Sequence, residues 1–556
     1  MTRLYILAVT CAACAVAVGG NAAASSRAQT VPTFRRTIER VASMDPLRAA
    51  SVCDAAAMTL VYEPPLDVDY YARPYKLRPG LCSMPVISED RLVYTFTIRE
   101  GARFHPDPCF GENAAVGRDV TADDVVYSLK RLGSKSNASS GMWLMADVAD
   151  VEAVDGRTVK ITLKKPLHVF PWLMAMPYVS VHPHEAVERY GTKFGGHPVG
   201  SGPYRLAEWW RNHRMVFERV PTWRGWKKPE DCCSRLADGS PSTGAIFDRL
   251  EFLVVDDEST KWLMFLGGEV DFLGGISNNN WDAVVGPNGE LAPNLVKQGI
   301  CLHGDSTLQV MYAGFNMEDP VLKNRKLRQA LNCAFDFPAW TKFYNNRLAP
   351  ADGPVPLGVD GRLDTPFQYA FDLDKAKRLL TEAGYPGGID PKTGRRLELS
   401  ITLGRATQDA REQAELIASF YSRIGIKLES RYMTWDAYLK AVNDGRVAIF
   451  FLGWVGDYPD AENFLQLFHS KNVSPGANHG NYRNPEFDKA YDRAMAAKTS
   501  AERNEAWRQA QEIVREDCPW LFLHFPKAYT LTRGYLQGYK PTDFPYCIEK
   551  HLRYAP

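Results

Sequence analysis

Along the chain, short runs that alternate apolar and polar residues give way to stretches in which apolar residues recur every three or four positions. Residues 92–98 alternate faces and stop at Glu100-Gly101, which predicts a strand. Thr121-Ala122-Asp123-Asp124 then opens a helix. Thr121 can cap it, and Asp124 at the third helical position completes a capping box, with Asp where Glu is commoner. Val125, Val126, Leu129 and Leu132 form its apolar stripe. Residues 158–163 alternate again after the turn Asp155-Gly156. The turn cluster Gly200-Ser201-Gly202-Pro203-Tyr204 leads into a strand that carries Trp209 and Trp210. Residues 247–255 predict a strand, and 261–266 a helix halted at Gly267-Gly268.

The second half repeats the theme. Residues 310–315 predict a strand and 325–334 a helix. A helix over 374–383 is closed by Gly384, with Pro386 beyond. Residues 397–403 alternate, and a helix over 410–424 ends at Gly425. Residues 447–454 are almost unbroken apolar, fit for a strand buried on both faces. Asn484-Pro485 caps a helix running through 497, and Thr499 caps the next, through 515. No repeat of solenoid period appears. Strand–helix–strand units in both halves, with an extra strand-rich region at about 60–190, predict two α/β lobes, the first enlarged. Clefts between lobes are where small ligands bind.

Length agrees: 556 residues are too many for one core. The composition, 45% hydrophobic and 24% charged, is globular. A net charge of +1 gives no electrostatic case for nucleic acid or an anionic membrane surface. Residues 1–24 read as a secretory signal. Arg3 precedes an apolar stretch over 4–18, broken only by Thr10, and Ala22-Ala23-Ala24 supplies small residues for cleavage. That stretch is shorter than the about 20 residues a membrane span needs. Neither Cys11 nor Cys14 has the apolar-small-small lead-in of a lipoprotein. The mature chain is therefore expected in the periplasm. Of eleven cysteines, nine lie beyond the signal: Cys53, Cys82, Cys109, Cys232, Cys233, Cys301, Cys333, Cys518 and Cys547. No CxxC pair occurs among these nine, and export permits structural disulfides, with one thiol left over.

Reactive constellations are sparse. There is no GxSxG, HExxH or Walker loop. His182-Pro183-His184-Glu185 has metal-binding residue types, but proline between the two His denies them a shared helical face, so a surface turn before a helix is expected. Asp256-Asp257-Glu258 lacks the spaced oxygens of a calcium loop and reads as an acidic helix start. Asp457 and Asp460 are too weakly marked to read as a glycosidase pair. Trp209, Trp210, Trp223 and Trp226 read as packing residues rather than a sugar platform. No metal, cofactor or catalytic residue is expected.

Taken in order, several segments resemble one family, the peptide/nickel-type solute-binding proteins of ABC importers, in its dipeptide/oligopeptide branch. Residues 94–105 look like its strand-and-turn signature, and 119–128 its following helix start. Pro198-Val199-Gly200-Ser201-Gly202-Pro203-Tyr204 is similar to its GTGPY turn, with Ser for Thr. Gly268-Glu269-Val270-Asp271, then Phe315-Asn316 with Leu327-Arg328-Gln329-Ala330, resemble later steps. Residues 453–464 look like the ligand-contacting loop of peptide receptors.

The resemblance implies an α/β, type II-like periplasmic-binding-protein clamshell. Lobe I would hold 31–305 plus 527–556, with the extra subdomain, and lobe II 306–526. It implies a monomer that hands a short peptide to a membrane permease, with a non-peptide ligand in the same fold (a metal complex, a sugar or a cell-wall fragment) as the alternative. Asp457 matches the position that holds the peptide α-ammonium. Arg405 matches the one that holds the α-carboxylate, with Arg411 as the alternative because the following turn differs by one residue. Trp454 and Gly453 would cover the ligand. Paired counter-charges suit a zwitterion that loses water at both ends. Two segments depart from the family, 106–118 with Cys109 and about 231–244 with Cys232-Cys233, and both are expected at the cleft rim or facing a partner.

Overall fold

The computed structural model describes residues 32–49, 51–137, 139, 141–227, 234–236, 239–286, 289–544 and 546–555. The signal segment with Cys11 and Cys14, and the pair Cys232-Cys233, lie outside the described residues. The fold is the α/β, two-lobed one expected. Its backbone is a mixed sheet of twelve strands. From one edge run Lys427–Tyr432, Glu398–Leu403, Ile449–Val455 and Gln309–Phe315. Then come Trp520–Arg533, Phe272–Gly274, Thr33–Ile38, Arg249–Val254, Arg214–Arg219 and Tyr204–Trp210.

One strand joins the two halves. Trp520–Arg533 pairs through its first residues with Gln309–Phe315 and, at Pro526, Phe525 and His524, with Leu348–Pro350. From Lys527 onward its partner is Ile300–Ser306, and Phe272–Gly274 lies on its other side. The change of partner is pinned by Thr307, whose N–H and hydroxyl both donate to the Pro526 carbonyl at 3.1 Å.

Packing follows the same line, with exceptions that cross it: Tyr458 joins the first core, and Tyr75 and Phe544 join the second. One core gathers Phe34, Phe217, Phe252 and Tyr204 beneath the first half of the sheet. The second half is covered on both faces. Tyr312 and Trp520 stack with ring centroids 3.4 Å apart on one side, and Leu331, Ile401 and Phe420 pack on the other. Side chains covered on both faces are what a parallel sheet segment requires. The enlarged lobe carries a separate antiparallel sheet, Val86–Ile87, Val93–Thr97, Thr158–Leu163 and Val148–Ala153.

Local rules set many element ends. Thr121 and Asp124 form the expected capping box on Ala122–Gly133, and Thr499 with Glu502 forms another on Ser500–Asp517. Asp257 caps Glu258–Leu266, and Asn484 caps Pro485–Ala496.

Three expectations fail. The apolar run over 447–454 forms Ile449–Val455, but only its first part is enclosed: Gly453 and Val455 are exposed, Val455 by 62%. The strand emerges from the core as it nears the cleft. His182 is no surface residue. It is 1% exposed, and its Nε2 lies 3.2 Å from the Arg131 guanidinium that forks onto Asp45. Finally, the seven described cysteines are all free thiols. Cys82, Cys333, Cys518 and Cys547 are buried as small apolar groups, and burial raises their thiol pKa values.

Candidate functional site

Strands Glu398–Leu403, Lys427–Tyr432 and Ile449–Val455 run parallel, so their C-terminal ends lie on one edge of the second lobe. In open α/β sheets ligands bind outside the carboxyl ends of such strands. The loops that leave this edge carry Arg405 and Asp457. Thr402 is level with Phe450 where the two strands near this edge.

The Asp457 corner is built around Asn463, which is 1% exposed. Its amide oxygen accepts from Trp454 Nε1 at 2.9 Å and from the Asp457 N–H at 3.1 Å, and its amide nitrogen donates to Asp457 Oδ2 at 3.2 Å. One side chain thus fixes the Trp454 ring and the Asp457 backbone and carboxylate. Beyond it, Asp460 caps Ala461–Leu465 and takes both arms of Arg503, at 2.5 and 2.9 Å. Glu462 accepts from Tyr458 at 2.6 Å and from Tyr491 at 2.7 Å. Tyr458 itself reaches into the core of the first lobe.

The Asp457 carboxylate has no cationic partner among the described residues. Water reaches it, yet protein surrounds it closely enough that desolvation raises its pKa, against the lowering effect of the Asn463 hydrogen bond. Its charge acts on Tyr546 of the first lobe, a phenol pushed up to about 12 chiefly by its own burial, with Tyr178 and Asp457 adding to the shift. Asp457 therefore lies within electrostatic reach of Tyr546.

Arg405 is held differently. Its Nη2 pairs with Asp409 at 3.1 Å, one helical turn away, and both side chains are about half exposed. Gln413 gives it a second, longer contact at 3.4 Å. It lies close enough to bear on the buried Tyr344 phenol. Arg411 donates to the Ala406 carbonyl at 3.4 Å, and its guanidinium lies over Tyr432. Gly453 is exposed, and a Cβ there would stand 2.5 Å from Met311 Sδ, so a larger residue must displace Met311. Trp435, 54% exposed, and Met433, 37% exposed, leave apolar surface beside Arg405.

Among the other candidates, Asp124, His184 and Glu185 bring potential ligand atoms within 4.8 Å of one another. Arg118 already forks onto both carboxylates, with four contacts of 2.7 Å, so their oxygens are committed. The segment 106–118 packs on the first lobe: Phe110 stacks on Phe104, and Asp107 accepts from Tyr190. Described residues of 231–244 pack against the C-terminal segment, with Ser242 Oγ donating to Gln537 and a bridge from Ala245 to Tyr554. Trp223 is buried, whereas Trp210 is 64% exposed and Arg211 covers Trp209.

Sequence reasoning missed Asn463, Tyr178 and Tyr546. Asn463 carries a faint signal, a polar residue inside an apolar helical turn. The two tyrosines carry none, since Tyr546 comes within reach of Asp457 and of Tyr178 only through the fold.

Comparison with known proteins agrees with this architecture. The sequence profile of the bacterial extracellular solute-binding proteins, family 5 (middle), matches residues 76–476. Heme-binding protein A of Haemophilus influenzae is 28% identical over 491 residues, covering 84% of this chain and 83% of that protein. The glutathione-binding protein GsiB of Escherichia coli O1:K1 / APEC is 28% identical over 507 residues, 89% of each. The solved structure of HbpA2 from Haemophilus parasuis superposes with a TM-score of 0.80 at 26% identity, over 94% of this chain and all of that one. With a profile match across most of its length and the matching two-lobed fold, the chain belongs to family 5 of the bacterial extracellular solute-binding proteins, the ligand-capturing components of ABC importers.

Proposed function

We propose that this protein captures short peptides, or closely similar zwitterions, in the cleft between its lobes and presents them to a membrane permease. The observation that carries the reading is Asp457: a carboxylate open to water yet partly desolvated by the protein around it, fixed by Asn463, with no cation of its own among the described residues. Such a group is stabilised by an incoming ammonium. Arg405, released from its exposed pair with Asp409, takes the ligand carboxylate, since exposed pairs of this kind are worth little. Trp454 and Gly453 line the path between, where the emerging strand offers backbone groups to a peptide main chain.

In this reading 31–305 plus 527–556 and 306–526 move as units about the change of partner at Pro526-Lys527, and closure is driven by a ligand that touches both. The protein acts as a periplasmic monomer without catalytic chemistry. No helix among the described residues is long and apolar enough to cross a membrane. Calorimetry with a dipeptide and its N-acetylated form tests the reading. Binding of the free amine, and its loss on acetylation, is expected. Equal binding of both forms would remove the ammonium from the account.

A second reading has its own support. The exposed Trp435 and Met433 beside Arg405 suit a larger, apolar anion, and one relative is named for heme. That ligand would bind without an amine and leave Asp457 idle.

A further inference from the structure

The loop that carries Asp457 is fixed to the second lobe on both sides. Before Asp457, the Gly456 N–H donates to the Leu308 carbonyl at 2.7 Å, and a Cβ on Gly456 would lie 2.8 Å from the Phe464 ring. After it, the Asp460 N–H donates to the Tyr458 carbonyl at 2.9 Å and closes a short turn around Pro459. A proline at 459 also disfavours helical backbone at Tyr458. The Tyr458 hydroxyl donates to Glu462 at 2.6 Å, on the helical turn that follows.

The Tyr458 ring leaves this scaffold and crosses to the other lobe. It is 7% exposed, and it packs in a core whose other members among the described residues all come from 34–272 and 536–552, within the first lobe. Its surroundings are bridged as well. Trp172 of the first lobe packs against both cores, and His168 lies within electrostatic reach of Arg503 and Asp460 behind the loop. Elsewhere the lobes meet where the Arg347 guanidinium lies 4.6 Å over the Trp281 ring. The Tyr458 contact is one the protein makes with itself, so it favours closure whether or not a ligand is bound. Parting the lobes returns a large, mostly apolar ring to water. The hydroxyl keeps its partner, because Glu462 belongs to the same lobe, so opening costs packing rather than a hydrogen bond.

We propose that Tyr458 is a positioning residue, a latch whose ring couples closure of the lobes to the setting of Asp457 and keeps a large share of the free protein closed. The inference rests on the reading in which the lobes move and Asp457 takes an amine. With its ring buried and its hydroxyl on Glu462, Tyr458 acts through its chain neighbour Asp457. The carboxylate is then held by Asn463 within its own lobe and, one residue on, by a ring seated in the other. Apparent affinity follows the fraction of the protein that is already closed.

Small-angle scattering of the whole mature protein, free and with Ala-Ala, tests this with Tyr458→Ala and Tyr458→Phe. Free Tyr458→Ala should have a larger radius of gyration than the free wild type, and saturating Ala-Ala should remove most of the difference. Its affinity for Ala-Ala should fall about tenfold, through faster dissociation. Tyr458→Phe keeps the ring and removes only the hydroxyl from Glu462. It should keep the wild-type radius of gyration and lose about threefold in affinity. Two variants alike in both readouts would reduce Tyr458 to a partner of Glu462 and overturn the latch. Equal radii of gyration in free wild type and free Tyr458→Ala overturn it too, whatever the peptide result. Hydroxyl-radical footprinting of the free wild type covers the case of a variant that does not fold. Tyr458 should be labelled several-fold more slowly than in the denatured chain, and labelling at the denatured rate overturns the latch. If Ala-Ala fails to bind the wild type, the peptide reading falls, and the free proteins alone still decide the latch.

Discussion

In the proposed reading the Asp457 corner and the Arg405 corner answer opposite charges of one ligand, yet they are built on different physics. Asp457 is clamped. Asn463 satisfies its backbone and its carboxylate, and buried pairs of Asp460 with Arg503 and of Glu462 with two tyrosines hold the loop behind it. Arg405 is loosely tethered to Asp409 in solvent. A clamped carboxylate is organised before binding and loses little freedom when an ammonium arrives. A long, solvated arginine adapts its reach. The contrast implies strict recognition of the amino end and tolerance in ligand length at the carboxyl end.

Four changes break or sharpen this contrast, from the largest effect downward. Asp457→Ala should weaken peptide binding by about 2–5 kcal/mol, the usual loss when one member of a desolvated charge pair is removed. Calorimetry checks it, and an unchanged affinity would unseat the clamped corner.

Asn463→Ala leaves Asp457 in place but removes its support, and should cost about 1–3 kcal/mol of binding, in line with buried polar groups that lose their partners. Because Trp454 loses the same partner, its fluorescence should change in parallel. Lost stability with intact affinity would make Asn463 a purely structural residue.

Arg405→Ala should cost no more than about 1 kcal/mol with a neutral dipeptide, since the side chain starts solvated. Arg411→Ala should cost less still. A loss at Arg411 larger than at Arg405 would reverse the assignment of the carboxylate.

The smallest effect, near neutral pH, is titration. Desolvation holds the Asp457 pKa above its ordinary value in the free protein, and a bound ammonium would lower it again. Affinity should then be full above the free-state pKa and fall as pH drops through it, beginning at a higher pH than an ordinary aspartate would set. Asp457→Asn should flatten that part of the profile. A wild-type profile as flat as the variant's would deny the carboxylate its role.

Much of the scaffold was legible because its signals are local. Caps at Thr121, Asn484 and Thr499 and the apolar periodicity of the helices act within a few residues. The run at 447–454 misled for a related reason: periodicity reports apolar side chains, and cannot tell that a strand leaves the core before its last residues. The cysteines misled because export permits disulfides without requiring them, and packing had already placed four of them as buried apolar groups. Asp457 could be singled out in the sequence as a candidate, whereas its support by Asn463 and the lack of a cation beside it among the described residues were visible only in three dimensions.

The account turns on whether Asp457 meets the amine of a peptide. Native mass spectrometry of the purified mature protein, before and after addition of an unselective dipeptide pool, tests this most directly. Adducts at dipeptide masses in the wild type, absent from Asp457→Ala, are the predicted result. Dipeptide adducts that persist in Asp457→Ala, or a co-purified species of another mass with no peptide adduct, would contradict it.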